Sequence, residues 1–151
     1  MNVTATGSKS NSGHRYGNPT VDCNGAQIHK QCRQLATVLT VTGVVDDLNI
    51  DAITAHAQSC VIPEKPFVLD LSGVTSFTGH GITLFDAIAD ACATFCEEWS
   101  VIASQPVSRA LRLCGIDDSV PTADSVPAAL HHFSDVAGER RQLLPILIKS
   151  A

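Results

Sequence analysis

Long apolar runs are missing from this sequence. No stretch approaches the roughly 20 residues that a membrane-spanning helix needs, and the N-terminus carries no signal-peptide apolar core. No membrane span is expected, and the cytoplasm is the expected location. Positive charge is also scarce. Lys and Arg together number 10 against 15 Asp and Glu, a formal net charge of −5, and no Lys/Arg run stands out. Nucleic-acid binding through phosphate neutralisation needs clustered cations, so no nucleic-acid partner is expected. Charged residues make up only 17% of the chain, too few for a disordered polyelectrolyte. CxxC pairs are lacking as well, although six cysteines are present: Cys23, Cys32, Cys60, Cys92, Cys96 and Cys114. Without a second pair of ligands, no metal and no cofactor are expected.

What is there fits one globular domain. The chain has 151 residues and 44% hydrophobic content, long enough to bury a real core. Residues 1–17 are polar and without periodicity, so they read as a disordered arm. Its Thr4, Thr6, Ser8 and Ser10 are accessible hydroxyls, and phosphorylation would add nearly two negative charges at each. The globular domain is placed at 18–134. Residues 135–151 form a C-terminal helical or aliphatic tail, in which Arg140-Arg141 precedes five large aliphatics. Packing of this tail on the domain, on a second copy or at another interface all remain open.

Within the domain, Val21 to Gln34 gives a mixed signal, but Ala26–Cys32 alternates like an exposed strand. Leu35 to Gly43 is β-branched and partly alternating, so the two form an antiparallel hairpin that ends at Gly43 and Asp46-Asp47. A helix follows, capped by Asp47 or Asn49, with Ile50, Ile53, Ala57 and Cys60 on its buried face. After a turn bracketed by Pro63 and Pro66, Phe67–Leu71 reads as the central strand. A second helix is expected from about His80 to Glu98, burying Phe85, Ile88, Ala89, Cys92, Phe95, Cys96 and Trp99, with Thr83, Asp86, Asp90, Thr94 and Glu97 on the other side. Ser100–Ala103 is a short buried strand. Ser104 caps a third helix with Pro106 in its first turn, Val107, Ala110, Leu111 and Cys114 inward, and Gly115 as its stop. An extended piece near Val120–Thr122 leads to Ser125, the cap of a fourth helix with Ala129, Leu130, Phe133 and Val136 on its apolar stripe. The order β-β-α-β-α-β-α-(β)-α makes an α/β fold, a mixed four- to five-stranded sheet packed with about four helices.

The stretch Val68 to Ile82 organises the rest. A buried strand runs into a segment of small and hydroxyl residues, and a helix then starts. This junction is where α/β folds place function. The free N–H groups of the helix start favour an acceptor there. Gly79-His80-Gly81 therefore admits a nucleotide- or anion-binding module, although the remainder of a dinucleotide or P-loop fingerprint is missing. An enzyme would need a nucleophile beside a base, and His80 with Cys92 or Cys96 is the only such set. About 18 Å of helix axis, at about 1.5 Å per residue, separates them. No catalytic role is expected. The i,i+4 spacing of Cys92 and Cys96 suits a redox pair, and small core hydrophobes are the plainer reading of these thiols.

Three segments, Leu39–Asp46, Val68–Val74 and Gly81-Ile82, together resemble the STAS domain, the SpoIIAA-like fold of bacterial anti-sigma factor antagonists that also occurs in sulfate-transporter tails. Ser104–Val107 through Leu113–Ile116 is similar to the family's third helix. The resemblance covers roughly Val21 to Phe133, and the polar arm, cysteine content and aliphatic tail are similar to its mycobacterial branch. It implies partner binding: a dephosphorylated antagonist binds an anti-sigma kinase, and phosphorylation of a loop serine breaks the complex. That serine lies in an Asp-Ser-Ser-Gly type pattern at the start of the second helix. Aligned on Asp70 and Gly81, the pattern becomes Thr78, Gly79 and His80 here, so the acceptor position has no hydroxyl, and only Ser76 and Thr78 remain nearby. Three consequences are open. Binding escapes loop control, or the switch moves to Thr4, Thr6, Ser8 or Ser10, or the cysteines respond.

The expected partner-binding surface is Ser76, Phe77, Thr78, Gly79, His80 and Gly81, with Thr83 and Asp86 beside it. His80 either touches the partner, which makes binding pH-sensitive, or simply caps the helix start. Gly79 and Gly81 serve backbone geometry or close approach. The expected partner is an anti-sigma factor or another STAS-type regulator. A Ser/Thr protein kinase and a homodimer are further possibilities, and a scaffold role in a signalling complex is the alternative function.

Overall fold

The structure, a computed structural model, describes residues 20–95 and 97–136. Strands β1 (Thr20–Cys23) and β2 (Ala26–Cys32) pair antiparallel across Asn24-Gly25, whose φ angles are 45° and 104°. A two-residue type I′ hairpin needs positive φ at both central positions, and Asn-Gly supplies it. The mixed signal before Ala26 thus hides an edge strand.

Strand β3 (Thr37–Val45) pairs antiparallel with β2. It does not end at Gly43 as expected. Gly43 has φ 95° and lies against the Gly25 carbonyl, where a Cβ would collide. The register with the next strand shifts between Gly43 and Val44, so the glycine carries a bulge and the strand continues. Helix α1 (Ile50–Cys60) buries Ile50, Ile53, Ala57 and Cys60, the face that its spacing predicts.

Strand β4 (Phe67–Phe77) is the second difference. A strand ending at Leu71 and a loop from Ser72 were expected, but pairing with β3 carries the hydroxyl-rich segment onward to Ser76↔Val44 and Phe77↔Val45. Val74 is 2% exposed and anchors this extension. Burial of one face outweighs the loop-like composition. A 3₁₀ turn (Gly79–Gly81) then leads into α2 (Ile82–Phe95). This helix stops short of the expected Glu98 because the Glu97 N–H closes back on the Cys92 carbonyl at 2.9 Å. Trp99 consequently belongs to β5 (Trp99–Ala103), not to the helix face, and Phe95 is exposed rather than buried.

Helix α3 (Gln105–Leu113) has Pro106 in its first turn. Ser104 holds the N-cap position, yet its side chain makes no cap bond. At the other end Gly115, φ 70°, gives its N–H to Arg112 while Ile116 gives its own to Leu111, a Schellman closure. That closure turns Cys114 outward, against the inward position expected for it. Thr122 bridges Val101 in parallel. Ser125 Oγ then accepts the Ala128 N–H at 3.2 Å and caps α4, residues 126–136.

The five strands lie in chain order across one sheet, antiparallel from β1 to β3 and parallel from β3 to β5. Leu39, Val41, Leu69, Leu71 and Val101 face α1, α2 and α3 in the main core, while Val38, Val68 and Ile102 face α4 in a smaller one. Burial on both faces explains the unbroken apolar run Phe67-Val68-Leu69. The parallel strands all end at one pole, where α1, the 3₁₀ turn and α3 begin. Among the described residues no helix is long and apolar enough to cross a membrane.

Candidate functional site

At that pole the sheet delivers β4 into a turn closed by backbone hydrogen bonds. The Thr78 N–H bonds to the Val45 carbonyl at 3.2 Å, extending the β3–β4 ladder by one residue. The Gly81 N–H bonds to the Thr78 carbonyl at 2.9 Å and closes the 3₁₀ turn. Thr83 Oγ1 donates to the His80 carbonyl at 2.9 Å and fastens the first turn of α2. Nearby, Thr75 Oγ1 donates to the Gly43 carbonyl at 3.2 Å.

The expected surface residues do come together here, in unequal roles. Ser76, Gly79, His80, Thr83 and Asp86 are exposed, Phe77 and Thr78 are half-buried, and Gly81 is buried. Ser76 and Phe77 belong to the strand rather than to a loop. Gly81 answers the close-approach expectation, because a Cβ there would run into the Phe77 ring, itself 5.8 Å from that of Phe85. Gly79 does not: a Cβ at this position would meet nothing within 4 Å, and no unusual φ requires a glycine. Of the two remaining hydroxyls, that of Thr78 is buried without a hydrogen-bond partner among the described residues.

His80 does not cap the helix. Its Nδ1 lies 2.9 Å from Asp47 Oδ1, tying the turn to the β3–α1 loop, with both side chains well exposed. The loop that carries Asp47 is held by Asn49, which composition alone suggests as a helix cap. Asn49 is 1% exposed and makes no cap bond. Its Nδ2 instead donates toward the carbonyls of Cys23, Asn24 and Val44 at 3.0, 3.1 and 2.8 Å, and its Oδ1 accepts the Asp46 N–H at 2.9 Å. This buried amide locks the β1–β2 turn to the end of β3, and its partners in that turn, Cys23 and Asn24, are too distant in sequence to be read from spacing.

A groove of about 280 Å³ opens between the end of β4 and α3, lined by Ser76, Gly79, Pro106, Arg109, Leu113 and Cys114. Leu113 is 81% exposed on its rim, and Leu48, next to Asp47, is 80% exposed on the other side of the turn. Sequence reasoning passed over both leucines. The available signal was that Leu113 falls off the 107-110-111 stripe of α3.

Cys92 lies away from this pole, 1% exposed in the main core. Burial, with the Glu97 carboxylate as a smaller contributor, pushes its thiol up to about 11, which suits a core hydrophobe and opposes a reactive thiolate. Burial likewise pushes the Cys60 and Cys23 thiols up. Cys96, the acceptor candidates Thr4, Thr6, Ser8 and Ser10, and the aliphatic tail lie outside the described residues.

Set beside known proteins, residues 27–129 match the model of the STAS domain family. The chain is 39% identical over 142 residues to Osmosensory protein A of Mycobacterium tuberculosis, covering 91% of this chain and 90% of that protein. An anti-sigma factor antagonist from Mycobacterium paratuberculosis superposes with a TM-score of 0.62 at 20% identity, over 72% of this chain and 94% of that one. The anti-sigma factor antagonist SpoIIAA in its unphosphorylated form gives 0.60 at 10% identity, over 72% and 96%. At these identities the two structures speak for the fold, which is the SpoIIAA-like mixed sheet expected from the sequence.

Proposed function

The chain belongs to the STAS domain family, and from that premise we propose that it is a non-enzymatic signalling regulator of the anti-sigma factor antagonist type. Its partner, an anti-sigma factor or a related STAS-type regulator, docks over Ser76 to His80 with Thr83 and Asp86 at the edge. The observation that carries this reading is the pair of leucines, Leu48 and Leu113, 80% and 81% exposed on either side of the turn. Apolar anchors ringed by polar side chains are what a protein–protein interface is built from. A catalytic reading has no support in the same geometry, since His80 sits at the pole and Cys92 in the core.

Control by a phosphate at the turn does not operate in this chain. Gly79 has no hydroxyl, the Thr78 hydroxyl is turned inward, and Ser76, though exposed, belongs to the strand before the turn. A Ser/Thr kinase instead acts on Thr4, Thr6, Ser8 or Ser10. The name of the M. tuberculosis relative supports osmotic change as the stimulus. The test is affinity capture with the full chain from cytoplasmic extract before and after osmotic upshift, with phosphosites mapped by mass spectrometry. Recovery of an anti-sigma factor and label in residues 4–10 is the expected result. Recovery of STAS proteins alone assigns a scaffold role instead, and label confined to Thr78 overturns the lost-switch reading.

A further inference from the structure

The opposite pole, where β3, β4 and β5 begin, holds a groove of about 360 Å³ lined by Leu35, Glu64, Pro66, Glu97, Phe133 and Val136 among others. Its base is apolar. Phe133 is 4% exposed and belongs to the smaller core, while Leu35 remains 43% exposed on the rim. Three carboxylates, Glu64, Glu97 and Glu98, flank this apolar floor, and among the described residues neither Glu64 nor Glu97 is ion-paired with a Lys or Arg.

The described chain ends on this rim, at Val136, and fifteen residues follow. Their order matches the groove. After Ala137-Gly138-Glu139 come Arg140 and Arg141, then Leu143, Leu144, Ile146, Leu147 and Ile148. Four or five residues reach at most roughly 14–18 Å, at about 3.5 Å each, which brings both arginines within range of a groove that starts at Val136.

We propose that this groove is the seat of the chain's own C-terminal segment, with Arg140 and Arg141 against Glu64 and Glu97 and the aliphatics of 143–148 over Leu35, Pro66 and Phe133. Three observations favour this occupant over a second copy or a foreign protein. The segment begins at the rim, so tethering gives it an effective concentration on the order of millimolar. Its charge is opposite in sign to that of the groove. Its five large aliphatics would otherwise be an uncovered apolar patch beside another one. The eleven-residue β4 spans roughly 33 Å at about 3.3 Å per residue, so the seated segment leaves the turn at Gly79 free and does not compete with the proposed partner.

Chymotrypsin cleavage after Leu143 and Leu147 reads the proposal in the full-length chain. Cleavage tracks the undocked population, so the charge-reversed groove, Glu64→Lys with Glu97→Lys, is expected to be cut about tenfold faster at low salt. Adding Arg140→Glu with Arg141→Glu to that variant restores slow cleavage, a rescue that damage to the fold would not give. Thermal melting confirms that each variant is folded. Equal cleavage rates in all variants overturn the proposal. Protection that rises with protein concentration assigns the groove to a second copy and overturns it as well.

Discussion

Gly79 and Gly81 stand two residues apart on one turn, and different physics governs each. At Gly81 a methyl group would occupy the space of the Phe77 ring, which is wedged against Phe85. Gly81→Ala therefore forces that ring out of place and is expected to cost about 1–3 kcal/mol, visible in calorimetry as a melting point several degrees lower. At Gly79 the added atom points into open space. Gly79→Ser is accordingly expected to melt within about 0.5 kcal/mol of the parent, as ordinary surface substitutions do. It also puts a hydroxyl where the family pattern has its phospho-acceptor. A cognate Ser/Thr kinase should label the variant at residue 79, and the added charge should weaken partner binding, while the parent keeps binding after the same treatment. A melting point for Gly79→Ser as low as that of Gly81→Ala would contradict the steric argument.

Helix α2 shows how burial sets chemistry along an element. Cys92 faces the core, and its thiol is held up to about 11 by desolvation and then by Glu97. A thiol held protonated in the folded state but free to ionise when unfolded stabilises the fold at neutral pH, and that contribution is lost as pH rises from the ordinary thiol value of 9.0 toward about 11. Alkylation of the native protein at pH 8 should thus modify the exposed Cys32 and Cys114 quickly and Cys92 only on unfolding, as peptide mapping would reveal. Rapid labelling of Cys92 in the native state would sink this. Elements of this kind were legible in the sequence wherever period and burial coincide: Ile50, Ile53, Ala57 and Cys60 mark α1, and Phe67 to Leu71 marks the buried start of β4. The legibility fails where partners come from far away. Ser72 to Phe77 looks like a loop until β3 pairs with it, and Asn49 looks like a cap until the β1–β2 turn arrives over it. Only β1 left a local sign, the Asn-Gly pair at its end.

At the scale of the whole molecule, the two anchors proposed for the partner exist as a pair only because the fold assembles around the sheet. Leu48 comes from the β3–α1 loop, and Leu113 from the last turn of α3, which packs along the end of β4 beside Ser76 and Gly79. Neither side chain supports the core, since each is at least 80% exposed. Replacing either with Asp should leave the melting point nearly unchanged, a surface effect of about 0.5 kcal/mol at most. An interface anchor is a different matter. Truncating one typically costs 2 kcal/mol or more, roughly a thirtyfold loss of affinity, which calorimetric titration against the captured partner would register for Leu48→Asp and Leu113→Asp alike. The control belongs at the other end of the sheet. Leu35 is also exposed, at 43%, but it lies on the groove assigned to the C-terminal segment. Leu35→Asp should therefore loosen that segment toward protease and leave partner affinity as it was. If Leu35→Asp weakened the partner as much as Leu113→Asp did, the recognition face would have to be moved to the opposite pole.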